Sequence, residues 1–110
     1  MSETDGFDIV RTEVNGRPTL FVYGEIDVMT APRLHEALNL IIREEPPILQ
    51  VDLANVGFID STGLSALVVG HRQLEEAGGE LRLVSVPPNV ARVFELVGLD
   101  ARFKLPTHPS

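Results

Sequence analysis

The sequence predicts an α/β fold, in which helices pack on a mixed β-sheet that begins with an N-terminal hairpin. Three observations predict it: an Asn-Gly turn between two strand-like runs, strand-length apolar segments that alternate with segments of helical periodicity, and the lack of any repeat or linker. Right-handed strand-helix-strand crossovers make the later strands parallel. We therefore expect one domain over residues 1–110, with its core at about 7–105 and short flexible ends.

The chain opens with a predicted β-hairpin. The segments "FDIVRTEV" (7–14) and "PTLFVYG" (18–24) have strand-like composition, and Asn15-Gly16 between them is typical of a hairpin turn. Leu20 to Tyr23 is continuously apolar. This run is therefore predicted to be a central strand.

The first helix is predicted to begin after Thr30, whose hydroxyl is a suitable N-cap. Pro32 falls in the first turn, where proline is tolerated, and the apolar residues that follow keep the i, i+3, i+4, i+7 spacing of one helical face. These residues are Leu34, Ala37, Leu38 and Ile41. Pro46 and Pro47 end the helix.

Two further strand and helix pairs follow. The segment "ILQVDL" (48–53) is predicted to be a buried strand, and a second helix runs from about Ser61 to Ala77, where Gly78-Gly79 ends it. The segment "ELRLVSV" (80–86) is predicted to be a strand. The segment "PPNVARVFELVG" (87–98) is predicted to be a third helix.

The C-terminal tail carries one more short apolar run. The segment "ARFKLP" (101–106) is predicted to form a last short strand, and "THPS" (107–110) is predicted to fray. The main elements therefore come in the order hairpin, helix, strand, helix, strand, helix.

The charge and composition exclude several classes of partner and site. Nine basic and sixteen acidic residues give a net charge of -7, which repels nucleic acid phosphates and anionic membrane surfaces. There is no cysteine, so disulfides, thiolate zinc sites and cysteine nucleophiles are excluded. No apolar run approaches the roughly 18 residues that span a bilayer, and the polar start "MSETDGFD" does not resemble a secretory signal. We predict a cytoplasmic protein without a direct nucleic acid or membrane partner.

The stretch "FIDSTGL" (58–64) places a carboxylate and two hydroxyls where a strand meets a helix. Either Asp60 or Ser61 can cap the helix by accepting a hydrogen bond from a backbone N–H of its first turn, worth about 1 kcal/mol. Gly63 does not suit a simple cap, because glycine within a helix costs roughly 1 kcal/mol relative to alanine. The missing side chain indicates that another group approaches there.

Catalytic, metal and cofactor sites are not predicted. Ser61 lacks the flanking glycines of a nucleophile elbow, and His71, ten positions along the same helix, lies roughly 15 Å away. His35 and His71 have no paired spacing and are predicted to be solvated helix residues rather than metal ligands. No glycine-rich loop opens a helix to hold a phosphate. The chain is predicted to be a binding module and not an enzyme, with serine hydrolysis as a minor alternative.

Three segments in order resemble the STAS-domain family, and specifically its bacterial anti-sigma factor antagonists. The segment "VDLANVGFIDSTGLSALV" (51–68) resembles the family signature, "GEID" (24–27) resembles its Gly-Glu-Leu-Asp with isoleucine for leucine, and "PPNVARVFELVGLDARF" (87–103) is similar to its closing segment. The resemblance covers nearly the whole chain and implies a single STAS-like domain.

This resemblance implies a phosphorylation switch. The serine after the motif's aspartate, here Ser61, is expected to be phosphorylated by a cognate anti-sigma factor that is itself a serine kinase; Thr62 is the second choice of acceptor. The unmodified form is expected to bind the anti-sigma factor and free the sigma factor. The phosphorylated form is expected to release it until a PP2C-type phosphatase restores the serine.

The partner-binding residues expected from the motifs are Asp27, Asp60, Ser61, Thr62 and Gly63. By hypothesis Asp60 orients the Ser61 hydroxyl and Asp27 contacts the kinase, whereas the alternative makes both aspartates ordinary loop caps. A phosphate on Ser61 is expected to be tolerated at the unpaired N–H groups and positive dipole end of the helix.

A second interpretation keeps the fold and changes the system. The chain is then a STAS interaction module of a stress-signalling assembly or of a lipid transporter. The absence of an extra domain and the match to stand-alone antagonists favour the first interpretation, with the protein acting as a monomer that exchanges partners.

Overall fold

A computed structural model describes residues 6–105, and in it four strands form one sheet in the order β1-β2-β3-β4. The elements are β1 (Asp8–Val14), β2 (Arg17–Ile26), α1 (Ala31–Ile42), β3 (Ile48–Ile59), α2 (Ser61–Glu76), β4 (Glu80–Val84) and α3 (Pro88–Leu96). The predicted α/β fold with a mixed sheet is confirmed. The short flexible ends expected at the termini lie outside the described residues, apart from Gly6.

The sheet combines one antiparallel and two parallel pairings. β1 pairs antiparallel with β2 through the turn Asn15-Gly16, both of whose residues have positive φ, as a type I′ hairpin requires. β2 pairs parallel with β3, and β3 with β4. The hairpin and the parallel pairing of the later strands follow the prediction.

The core lies between the sheet and the helices. Alternate residues of β3 are buried over its first half, at Leu49, Val51 and Leu53, as the pleat of a strand requires, and α1 and α2 bury one apolar stripe each. The central members of this core are Leu20, Val22, Leu34, Leu38, Val51, Leu53, Leu67 and Leu74.

β3 is longer than the sequence indicates. The prediction ended it at residue 53, but it continues to Ile59 because β2 supplies pairing partners along this whole length. The pairing is irregular there: the register shifts between Phe21 and Tyr23 and again between Gly24 and Glu25. Such irregularities are typical of β-bulges, which break the period-2 alternation that predicts strands.

The predicted C-terminal strand is wrong for residues 101–105, which form turns instead; Pro106 lies outside the described residues. The segment packs by its side chains: the Phe103 ring meets Phe94 edge-on at 5.6 Å and His71 at 5.1 Å between centroids. Because Phe103 is held against the helices, the backbone turns back toward α2 and does not join the sheet edge.

His71 is therefore not the solvated residue that the sequence predicts. It is 5% exposed, and its Nε2 lies 3.5 Å from a Glu75 carboxylate oxygen. Burial lowers the pKa of the imidazole, an effect that the Glu75 carboxylate opposes. His35 is half-buried, and its Nε2 lies 3.2 Å from the Asn39 side-chain amide.

No helix within residues 6–105 combines the length and apolar character needed to cross a membrane.

Candidate partner-binding site

The ends of two parallel strands bring Asp27 and Asp60 to one edge of the sheet. β2 ends at Ile26 and β3 at Ile59, these two residues are register partners, and each aspartate follows directly. The Asp60 N–H donates to the Ile26 carbonyl at 3.0 Å, which fixes the two chain segments side by side. The predicted grouping of both aspartates near Ser61 is thus a consequence of parallel pairing.

Asp60, not Ser61, caps α2. Its Oδ1 accepts hydrogen bonds from the backbone N–H groups of Thr62 at 2.9 Å and Gly63 at 3.2 Å, and from the Thr62 hydroxyl at 2.5 Å. These bonds, the Thr62 hydroxyl bond first among them, lower the pKa of the Asp60 carboxyl. Asp60 therefore carries a negative charge beside Ser61 at neutral pH.

The two hydroxyls of the motif differ in their surroundings. The Thr62 hydroxyl donates to Asp60, whereas the Ser61 hydroxyl is exposed and makes no hydrogen bond within residues 6–105. The hypothesis that Asp60 orients the Ser61 hydroxyl is wrong for this structure, because the carboxylate binds Thr62 instead. Ser61 is the hydroxyl that an incoming reagent can reach without breaking a bond.

Asp27 closes the turn between β2 and α1. Its Oδ1 accepts hydrogen bonds from the N–H groups of Met29 at 2.9 Å and Thr30 at 3.1 Å. Thr30 occupies the N-cap position of α1 without capping it, because its hydroxyl donates to the Glu25 carbonyl at 2.7 Å. Both aspartates thus have the geometry of loop caps, and their contact with a partner stays a prediction.

Gly63 is explained by packing within the domain. A Cβ at this position would lie 2.5 Å from Cγ2 of Ile26 and 2.8 Å from Cγ1 of Ile59, so α2 crosses the strand ends too closely for any side chain. The group that the sequence expects to approach Gly63 is therefore this isoleucine pair. A partner contact at Gly63 itself stays a prediction.

The first N–H groups of α2 are not vacant. Thr62 and Gly63 donate to the Asp60 carboxylate, and the Leu64 N–H donates to the Asp60 carbonyl at 3.0 Å. The expectation that unpaired N–H groups would receive a phosphate on Ser61 is therefore wrong for these three. Such a phosphate would instead lie outward, beside an ionised carboxylate.

Apolar side chains surround this edge of the sheet, and the sequence interpretation missed them. Val28 is 65% exposed and Met29 79% exposed in the turn before α1, and Phe58 is exposed near the end of β3. The sequence carries a signal for this exposed apolar surface: Val28 and Met29 are apolar but lie inside the turn that Asp27 and Thr30 close. Exposed apolar side chains with polar groups beside them are typical of protein interaction sites.

Removing the Asp60 cap is expected to destabilise the fold by about 1 kcal/mol at neutral pH, because two N–H groups lose their acceptor. Since the folded-state pKa of Asp60 is lowered, this stabilisation is present above the unfolded pKa of about 4 and disappears as the pH falls through the folded-state pKa. Urea unfolding of Asp60→Ala from pH 7 to pH 2 measures it. Asp60→Asn, which keeps a capping oxygen, should stay close to the parent at pH 7; an equal loss in both variants would contradict the cap.

Within residues 6–105 no group of three or more histidine, aspartate or glutamate side chains is arranged to hold a metal ion. The site consists of the free Ser61 hydroxyl, two carboxylates that cap backbone N–H groups, and exposed apolar side chains nearby. This composition suits docking of a protein and modification of the hydroxyl.

Comparison with known sequences gives matches over most of the chain. The sequence profile of the STAS domain matches residues 9–110. The anti-sigma-B factor antagonist of Listeria monocytogenes is 37% identical over 95 residues, which cover 83% of each protein. The anti-sigma-F factor antagonist RsfB of Mycobacterium tuberculosis is 31% identical over 105 residues, which cover 96% of this chain and 85% of the relative.

Comparison of structures gives the same relationship. The crystal structure of an anti-sigma factor antagonist from Mycobacterium paratuberculosis superposes with a TM-score of 0.83 at 35% sequence identity. The superposition covers 94% of this chain and 88% of that one. The element order and the sheet described above are therefore shared with a solved structure over nearly the whole length.

Proposed function

This chain belongs to the STAS-domain family as an anti-sigma factor antagonist, a regulatory binding protein rather than an enzyme, and from this we propose how it is switched. Its unmodified form binds a cognate anti-sigma factor that is also a serine kinase. The anti-sigma factor then releases the sigma factor that it held. Phosphorylation of Ser61 ends that binding. The protein acts in the cytoplasm, as a monomer, without direct contact to nucleic acid.

The covalent step is a phosphoryl transfer. The Ser61 oxygen attacks the γ-phosphorus of ATP held by the kinase, the bond to the β-phosphate oxygen breaks, ADP leaves, and the hydroxyl proton passes to a base or to water. A PP2C-type phosphatase reverses the modification by hydrolysis, which gives inorganic phosphate and the free serine. The antagonist itself supplies only the acceptor hydroxyl.

One observation carries the choice of Ser61 over Thr62. The Thr62 hydroxyl is hydrogen-bonded to the Asp60 carboxylate at 2.5 Å, while the exposed Ser61 hydroxyl has no partner in the described chain. A kinase that used Thr62 would have to break that bond and leave the cap weakened. Ser61 can be modified with the cap intact.

Release of the partner follows from charge. A phosphoserine brings about two negative charges to a surface whose neighbours are the ionised Asp60 and the exposed apolar side chains of Val28 and Phe58. A partner that docks there must either pair or desolvate the phosphate. An apolar or acidic surface has no cation to pair with the phosphate, so docking costs the hydration of the phosphate or adds like-charge repulsion.

The domain itself should remain folded. Ser61 is exposed, so the phosphate displaces no packed side chain. The helix dipole favours an anion at this end and the Asp60 carboxylate disfavours a second one; each effect is about 1 kcal/mol or less at an exposed position. We expect stability to change little on modification.

Site mapping tests the proposal. The probe is a GHKL-type serine kinase encoded in the same genome. It is identified as the kinase that the unmodified chain retains in a pull-down without ATP. With ATP we expect one phosphate at Ser61 by mass spectrometry, none in Ser61→Ala, and retained Ser61 modification in Thr62→Val. Modification confined to Thr62 would refute the assignment.

A further inference from the structure

A shallow groove between α1 and α2 opens beside the N-terminus of α2. We call it the α1–α2 groove. Its apolar lining is Val28, Ala31, Pro32, Ala66 and Val69. Thr62, Ser65 and His35 contribute polar side chains. No aspartate, glutamate, lysine or arginine of the described chain lines it, although 23% of the sequence is charged.

The groove is continuous with Ser61. Residues four apart in a helix lie on one face, so Ser61 shares its face of α2 with Ser65 and Val69, which both line the groove. Eight residues at 1.5 Å each place Val69 roughly 12 Å along the axis from Ser61. Thr62, the residue after Ser61, lines the groove as well. Any partner large enough to cover Ser61 and continue along α2 must enter this groove.

The lining restricts the chemistry of what binds. A charged side chain placed in the groove would lose its hydration without gaining an ion pair, which is costly. An apolar side chain would instead cover Val28, which is 65% exposed and contributes to no buried core. Grooves between two helices commonly bind the apolar face of a third helix. The length of about 12 Å corresponds to roughly two turns of such a helix.

We propose that the α1–α2 groove binds an uncharged apolar helical face of the anti-sigma factor, so that the interface runs from Ser61 along α2 to Val69. This inference rests on the proposed function and adds where, beyond Ser61, the partner lies. It also gives a physical reason for the proposed release on phosphorylation: a phosphate on Ser61 lies at the open end of the groove, where a docked apolar helix would bury it without a cation.

Paired acidic substitutions test the proposal. Val28→Glu and Val69→Glu place a carboxylate in the groove, and Leu96→Glu places one on α3, where the leucine is 78% exposed and lies outside the groove. Affinity for the kinase retained by the unmodified chain is measured by calorimetry. We expect both groove variants to bind at least about tenfold more weakly and Leu96→Glu to bind as the parent does. Because Val69 is half-buried, circular dichroism and a thermal melt check that Val69→Glu is folded. If Val69→Glu unfolds, the test rests on Val28→Glu, whose substitution lies in an exposed turn.

The outcomes separate this inference from the proposed function. Suppose that the parent binds the kinase, that Ser61→Glu does not, and that both groove variants bind as tightly as Leu96→Glu. The groove proposal is then overturned, and the phosphorylation switch at Ser61 stands. If the parent retains no GHKL-type kinase in the pull-down, the proposed function fails, and the groove inference that rests on it fails with it. Analytical ultracentrifugation tests whether a second copy of this chain occupies the groove instead. If the parent forms a dimer that Val28→Glu dissociates, and the kinase affinity is unchanged, the groove is a dimer interface and the proposal is overturned.

Discussion

Ser61→Ala is expected to bind the anti-sigma factor as tightly as the parent, and Ser61→Glu about a thousandfold more weakly. Burying the glutamate carboxylate against an uncharged partner face has a cost that we take to be of the size of one like-charge contact at roughly 4 Å with an effective dielectric constant of about 20, which is about 4 kcal/mol or about a thousandfold in affinity. Any acidic group of the partner near Ser61 would act in the same direction. Calorimetric titration of both variants against the kinase measures the difference.

Ser61→Gln is the matched control for this pair, because it has nearly the size of glutamate and no charge. We expect it to bind much closer to Ser61→Ala than to Ser61→Glu. If glutamine weakens binding as much as glutamate does, side-chain size rather than charge controls the interface. If alanine and glutamate bind equally, Ser61 does not control binding at all.

Gly63→Ala is expected to destabilise the domain by about 1 to 3 kcal/mol, the usual cost of forcing an extra carbon into a packed core. The new Cβ would lie 2.5 Å from Cγ2 of Ile26 and 2.8 Å from Cγ1 of Ile59. Both isoleucines are almost completely buried, and their branched side chains have little rotameric freedom. The clash should therefore outweigh the roughly 1 kcal/mol by which alanine favours a helix over glycine.

Gly57→Ala is the control for that substitution, because a Cβ at Gly57 would meet nothing within 4 Å. At about 4 to 8 °C per kcal/mol for a domain near this size, only Gly63→Ala should lower the melting temperature measurably. An unchanged or higher melting temperature for Gly63→Ala would contradict the packing explanation. Weaker partner binding in a Gly63→Ala variant of unchanged stability would instead indicate a contact at Gly63 itself.

The fold was predictable because its signals are local. The Asn15-Gly16 turn, the apolar stripe of α1 and the residues that end each helix act within a few positions of the sequence. The end of β3 was not predictable in this way, because residues 54–59 are strand only through irregular pairing with β2. His71 was misjudged for a similar reason: its burial depends on Phe103, which lies 32 positions later and packs on its ring.

The grouping of Asp27 and Asp60 beside Ser61 was predictable from the sequence, and the hydrogen bonds within the group were not. Parallel pairing of β2 and β3 follows from the crossover rule, so Asp27 and Asp60 were expected together. Asp60 can bind either the Ser61 or the Thr62 hydroxyl, and the choice depends on side-chain rotamers within one helical turn. No periodicity of the sequence indicates those rotamers. The α1–α2 groove was missed because each helix by itself shows only its buried stripe, and the shape between them exists only after packing.

The most direct test of the switch is to titrate the purified Ser61-phosphorylated protein and the unmodified protein against the same anti-sigma factor kinase, with a thermal melt of each. We expect an affinity at least about a thousandfold lower for the phosphorylated protein, with a melting temperature close to that of the unmodified one. Equal affinities, or a phosphorylated protein that is unfolded at the temperature of the titration, would contradict it.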